Sequence, residues 1–232
     1  MGPLWLTAAP LPLGTAHTVC ILTALSSHSF AQLPLKPQLL SNLETLDYHH
    51  MTPIQKESLP LILEGRDVIG QGKTGSGKTA AFGLGLLNKL DVKYFRVQCL
   101  ILCPTRELAD QVAKEVRRLA RAIHNIKVLT ICGGAPLGPQ IGSLEHGAHI
   151  VVGTPGRIED HVNKGRLVLE DVHTLVLDEA DRMLAMGFQA SLDAIIQTIP
   201  ANRQSLLFSA TYPAAIEKMA QRIMHEPVLI KV

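Results

Sequence analysis

The sequence predicts an α/β domain with a mostly parallel central sheet and helices on both of its faces. Three observations carry that prediction. Short apolar runs that read as buried strands recur at residues 98–104, 128–132, 149–153, 174–177 and 204–208. The stretches between most of them are helical in spacing; Leu108, Val112, Val116, Leu119 and Ile123 share one face. Asp67-Val68-Ile69-Gly70-Gln71 runs into a glycine loop and then into Ala80-Ala81-Phe82-Gly83-Leu84, the order strand, loop, helix.

Taken in order, residues 1–29 contain no Asp, Glu, Lys or Arg and are rich in Pro, Leu, Ala and Thr. Pro3, Pro10 and Pro12 break the apolar core that a signal peptide needs, so the segment reads as a disordered extension. Residues 30–232 read as one domain without repeat or linker. Leu39, Leu40, Leu43 and Leu46 recur at helical spacing, and a second helix starts at Thr52-Pro53-Ile54-Gln55. There Thr52 suits the N-cap, Pro53 the first turn, and Gln55 the return position of a capping box. Residues 228–232 are expected to add an edge strand.

Composition narrows the function. With 22 Lys and Arg against 20 Asp and Glu, the net charge is only +2, which is no nucleic-acid footprint by itself. Cys20, Cys99, Cys103 and Cys132 form no C-x-x-C pair. Cys99 and Cys103 fall in one strand, roughly 13 Å apart, too far to bridge. Reduced thiols in a cytoplasmic protein are the economical reading. No apolar run reaches the length of a membrane span.

Gly72-Lys73-Thr74-Gly75-Ser76-Gly77-Lys78-Thr79 fits G-x-x-x-x-G-K-[ST], a loop whose backbone N–H groups wrap nucleotide phosphates at a helix N-terminus. Lys78 is expected on the β- and γ-phosphates and Thr79 on Mg²⁺. In a parallel sheet, ligands sit beyond the carboxyl ends of the strands. Nearly every strand here ends in a polar or glycine-bearing motif: Pro104-Thr105-Arg106-Glu107-Leu108, Gly133-Gly134, Thr154-Pro155-Gly156-Arg157, Asp178-Glu179-Ala180-Asp181 and Ser209-Ala210-Thr211. Asp178 and Glu179 at one strand end point opposite ways, so one is placed to hold Mg²⁺ and the other to activate water.

These motifs, in this order and spacing, resemble the first RecA-like domain of the DEAD-box RNA helicases, from about Phe30 to Val232. Asp178-Glu179-Ala180-Asp181 spells the family name. Thr74–Leu87 and Cys103–Val112 further resemble a bacterial ribosomal-RNA helicase of that family. The resemblance implies ATP and Mg²⁺ as cofactors, RNA as partner, and a role in large ribosomal subunit assembly. It assigns Lys78, Asp178 and Glu179 to catalysis and Gln55 to reading adenine beside a stacking Phe30. It places RNA on Arg106, Gly134, Thr154 and Arg157, and assigns Asp181, Ser209 and Thr211 to coupling.

Several residues have a plainer role open: Gln55 as helix cap, Phe30 as apolar anchor, Thr154–Arg157 as a capped helix start, and Ser209 with Thr211 as a turn. Gly72 departs from the alanine usual in the family. A second RecA-like domain with arginine fingers, and the third RNA-specific domain of the ribosomal-RNA helicases, lie outside these residues. A missing finger costs roughly 10³ to 10⁵ in rate in related enzymes. The expectation for this chain alone is therefore weak hydrolysis and no unwinding. The alternative is a non-catalytic nucleotide- or RNA-binding module, and a turnover assay separates the two.

Overall fold

The protein is described by a computed structural model covering Val19–Cys20 and residues 29–232. Apart from Val19–Cys20 and Ser29, the extension read at 1–29 lies outside the described residues. The chain runs from β1 (Val19–Cys20) through a 3-10 turn (Phe30–Gln32) to α1 (Pro37–Thr45), α2 (Pro53–Leu63), β2 (Val68–Gln71) and α3 (Lys78–Lys89). It continues with β3 (Cys99–Leu102), α4 (Arg106–Leu119), β4 (Val128–Ile131), α5 (Leu137–Glu145), β5 (Ile150–Gly153) and α6 (Pro155–Asn163). β6 (Thr174–Leu177), α7 (Ala180–Ala185), α8 (Gln189–Ile196), β7 (Gln204–Ser209), α9 (Ala214–Ile223) and β8 (Val228–Lys231) complete it.

The strands form one sheet in the order β1-β8-β2-β7-β6-β3-β5-β4, and every pairing is parallel. Alternation along each strand feeds two cores. Cys99 and Ile101 join a core with α1 to α4, while Leu100 and Leu102 join one with α6 to α9. Both faces are thereby covered, which is why the strands are apolar throughout. Helices α2, α3 and α4 pack closely because α3 carries glycines. A Cβ on Gly85 would collide with Ile62, and one on Gly83 would lie 2.9 Å from Leu119.

Two expectations are corrected. β8 is not an edge, because β2 flanks it on one side and β1 on the other. Helix α4 ends at Leu119, so Ile123 packs on the same core from the turn that follows. Cys99, Cys103 and Cys132 are free and buried. Burial pushes the Cys99 thiol up to about 12 and the Cys132 thiol to about 11, so they pack as small apolar groups. At the amino end of the sheet, Asp67 accepts from the backbone N–H of Ser205 (2.8 Å) and of His225 (2.7 Å). That buried clamp leaves the carboxyl end as the edge where loops are built for ligands.

Candidate nucleotide and nucleic-acid site

Because all strands run one way, the motifs that end them meet on one edge. The loop between β2 and α3 turns through Gly75 (φ 82°) and Gly77 (φ 94°), the left-handed region that favours glycine. A Cβ on Gly77 would also lie 2.5 Å from Gln55 Nε2 and 2.8 Å from Thr52 Oγ1. At Gly72 a Cβ would stand 3.1 Å from both Ser76 Oγ and Val232 Cγ2, so the usual alanine requires a small shift here. Lys78 is buried, and its ammonium donates to the Gly72 carbonyl at 2.6 Å. The lysine thus folds over its own loop.

Gln55 is also buried, and its amide is split between two tasks. Oε1 accepts from the Thr52 N–H at 2.9 Å, half of the expected capping box. Nε2 donates to the Gly77 carbonyl at 3.1 Å, a strut to the phosphate loop. An amide nitrogen carries two N–H groups, and this strut uses one. The helix-cap role is therefore real and coexists with a donor turned toward the loop.

Asp178 directly follows β6 and is 3% exposed. Burial raises its carboxyl to about 6, against the pull of the Lys78 charge. Its Oδ1 accepts from the Glu179 N–H at 3.0 Å. Glu179 sits in the left-handed region (φ 51°, ψ 50°), an unfavourable conformation for a residue with a side chain. That turn sends the two carboxylates apart, and Glu179 Oε2 pairs with Arg182 at 3.1 Å. Asp181 faces β7: its Oδ2 accepts from the Thr211 hydroxyl at 2.7 Å and the Thr211 N–H at 3.0 Å. Burial alone would raise the Asp181 carboxyl, but these bonds, with those of Ser209 and Arg182, hold it below the usual range. Ser209 also meets the Asp181 backbone. Its Oγ accepts from the Asp181 backbone N–H at 3.3 Å.

A cavity of about 520 Å³ runs from the phosphate loop to Phe30 and Tyr48, a size suited to a small ligand. Asp178, Glu179, Lys78, Thr79 and Gln55 line it at one end or along its wall. Phe30 is buried and stacks on Tyr48 (6.3 Å between centroids, 19°), and Arg118 covers the Tyr48 ring at 5.1 Å. Tyr48 also donates to Glu115 at 2.8 Å. Sequence reasoning missed Tyr48, Gln111 and Glu115. An aromatic seven residues before Gln55 was the available signal for the first; the other two lie on α4, where only its apolar face had been read.

On the neighbouring strand ends, Gly134 is left-handed (φ 75°) with open space where a Cβ would be. Thr154 stands at the N-cap of α6 as expected, but its side chain bonds no helix N–H; its Oγ1 accepts from the Gly133 N–H at 3.0 Å. Arg157 donates to the Ala135 carbonyl at 3.1 Å. Arg106 begins α4, exposed, 3.6 Å from Asp110. It joins Ala135 in the wall of a second cavity of about 370 Å³. The two turns that end β4 and β5 are thus brought together, with Arg106 at their side.

The model of the DEAD/DEAH box helicase family matches residues 52–219 of the chain, which include the phosphate loop, both acidic residues and all the motifs expected to face RNA. The chain belongs to the DEAD/DEAH box helicase family. It is 57% identical over 198 residues to the ATP-dependent RNA helicase DbpA of Escherichia coli, covering 85% of this chain and 43% of that protein. It is 49% identical over 204 residues to the DEAD-box ATP-dependent RNA helicase CshA of Geobacillus kaustophilus, covering 88% and 44%. Among solved structures, a DEAD box protein from the hyperthermophile Methanococcus jannaschii matches with a TM-score of 0.83 and 40% identity, over 88% of this chain and 55% of that one. The fold is therefore RecA-like. The chain spans less than half the length of these curated relatives.

Within this DEAD/DEAH box domain the residues fit a magnesium nucleotide. Thr52 Oγ1, Gln71 Oε1 and Ser76 Oγ are buried around the loop with no hydrogen-bond partner in the protein, and buried polar atoms are otherwise nearly always paired. The donor set suits the cation as well. Thr79 and Asp178 offer one hydroxyl and one carboxylate, the hard oxygen ligands that magnesium takes alongside phosphates and water. Among the described residues no group of three or more His, Cys, Asp or Glu is placed to hold a metal without such phosphates.

Proposed function

We propose that this chain is the ATP-binding domain of an ATP-dependent RNA helicase, working on ribosomal RNA during large-subunit assembly in the cytoplasm. The observation that carries it is the shared edge: the cavity of Lys78, Asp178 and Gln55 and the turns of Gly134, Thr154 and Arg157 all lie at the carboxyl ends of one parallel sheet. Lys78, released from the Gly72 carbonyl, binds the β- and γ-phosphates. Thr79 and Asp178 hold magnesium, which supplies neutralisation of the charge on the transferred phosphate. Gln55 keeps its Oε1 on the helix cap and presents Nε2 to adenine, with Phe30 packing beside the base. Glu179 leaves Arg182 to orient water and accept its proton.

Asp181, held by Thr211 and Ser209, joins the ends of β6 and β7 and couples this chemistry to the RNA side. There the backbone N–H groups at the start of α6, with Arg106 and Arg157, bind phosphates without reading sequence. A second RecA-like domain with arginine fingers completes turnover. The likeness of residues 74–87 and 103–112 to a ribosomal-RNA helicase supports the ribosomal target.

The test is ATP binding and hydrolysis by the 232-residue chain with and without single-stranded RNA, using Lys78→Ala as control. ATP binding that depends on Gln55, with slow turnover, is the expected result. Nucleotide binding insensitive to both Lys78→Ala and Gln55→Ala would overturn the reading.

A further inference from the structure

Helix α5 follows the Gly133-Gly134 turn directly, yet it is anchored in an unusual way. Its one buried residue is Gln140, while Leu137 at its start is exposed. A buried amide costs free energy unless both of its ends are hydrogen-bonded; a methionine would fill the same space without that requirement. Both ends of Gln140 are bonded. Nε2 donates to the Cys132 carbonyl at 2.9 Å, and Oε1 faces His161 Nε2 at 3.3 Å. Since a carbonyl only accepts, the amide NH₂ must face Cys132. Oε1 is then the acceptor, and His161 carries its proton on Nε2.

The position of these bonds gives them a purpose. Cys132 is the residue after β4, and among the described residues β4 pairs only with β5, so its end has one neighbour strand there. His161 lies on α6, whose first turn is Pro155-Gly156-Arg157. Gln140 therefore ties the base of the Gly133-Gly134 turn to the body of α6. Two further bonds close the same gap nearer the ligand edge: Gly133 N–H to Thr154 Oγ1, and Arg157 to the Ala135 carbonyl. Together with the β4–β5 ladder and the Thr154 N–H bond to the Ile131 carbonyl, these ties fix the spare donors of Arg157 and the N–H groups of α6 relative to Gly134.

We infer that Gln140 and His161 are positioning residues that lock the two phosphate-contacting turns into one preformed platform for the RNA backbone. The inference rests on the RNA reading given above. Neither side chain touches RNA; both act by preorganisation, which keeps an ordering cost out of binding.

The experiment measures affinity for a fluorescent oligouridine and, in parallel, for a fluorescent ADP analogue. Gln140→Met keeps volume and removes both bonds; His161→Phe removes the donor; His161→Gln restores a donor at similar reach. Ile195→Val, buried among the helices of the other core, serves as a control for stability loss alone. Expected is RNA binding weakened roughly five- to twentyfold by Gln140→Met and His161→Phe, with a shallower salt dependence. His161→Gln should recover most of that loss. ADP affinity and Ile195→Val should stay within about twofold of the unaltered chain. If the unaltered chain does not bind the oligouridine, the RNA reading falls and this inference with it. If it binds, and Gln140→Met and His161→Phe bind equally well, or Ile195→Val loses as much, the inference alone is overturned.

Discussion

The Thr211 hydroxyl donates to Asp181 Oδ2 at 2.7 Å, and the Thr211 backbone N–H reaches the same oxygen at 3.0 Å. Asp181 lies in the first turn of the helix after β6, and Thr211 follows β7, so the pair spans two adjacent strand ends. A shift of one strand end is felt at the other through a charge-assisted bond, the stronger kind. Thr211→Val keeps the shape and the backbone bond but deletes the hydroxyl. Nucleotide affinity should stay within about twofold, while the factor by which RNA and nucleotide strengthen each other should fall. Titration of RNA with and without nucleotide measures that factor. An unchanged factor would remove Thr211 from the coupling path.

Gln55 separates into its two bonds by substitution. Gln55→Glu keeps the acceptor on the Thr52 N–H and loses the donor to the Gly77 carbonyl, placing a carboxylate against a carbonyl oxygen. Gln55→Ala loses both. The cap half is worth about 0.5 to 2 kcal/mol. Thermal unfolding should therefore fall more for Gln55→Ala than for Gln55→Glu. ATP affinity should fall for both, and selectivity for ATP over GTP should vanish in both. Retained selectivity in Gln55→Glu would mean that the base is read elsewhere.

Asp178 is a stability cost in the nucleotide-free fold. The gap between about 6 in the fold and the ordinary 3.8 corresponds to roughly 3 kcal/mol at neutral pH. Asp178→Asn should raise the melting temperature of the nucleotide-free chain by several degrees, less whatever attraction to Lys78 is lost. The same variant should lose the stabilisation that magnesium and ATP give the unaltered chain. Calorimetry with and without the magnesium nucleotide checks both halves, and a lowered melting temperature without ligand would refute the first.

Much of this was legible in the residues. The apolar runs placed the parallel strands, and the parallel sense alone put five motifs on one edge. The phosphate loop and the Asp178–Asp181 run carry spacing and context that point to a nucleotide site. What escaped are side chains whose partners are distant in the chain. Nothing local reveals that Tyr48 lies beneath Arg118, or that Gln140 meets His161 across 21 residues. Thr154 shows the same limit: it stands at the N-cap as its position suggests, yet the tertiary N–H of Gly133, and no helix N–H, takes its hydroxyl. The place of β8 also depended on pairing with a two-residue strand far upstream.

His161 gives a pH prediction with a definite sign. Burial holds its imidazole below the ordinary 6.5, against the pull of Asp160, with Arg157, Arg166 and Lys164 adding to the depression. The unfolded chain therefore takes up a proton near pH 6.5 that the folded chain refuses. Stability from this residue is complete above 6.5 and is lost as pH falls from there toward the folded value. His173, also lowered by burial, adds in the same direction. Asp178, raised by burial, works the other way as pH falls through about 6. The contribution of His161 is thus isolated by difference. Denaturant unfolding of the unaltered chain and of His161→Phe, each between pH 7.5 and 5.5, should show the steeper acid loss in the unaltered chain. Parallel curves would mean that His161 titrates normally in the fold, and that its buried place against Gln140 does not hold the neutral form.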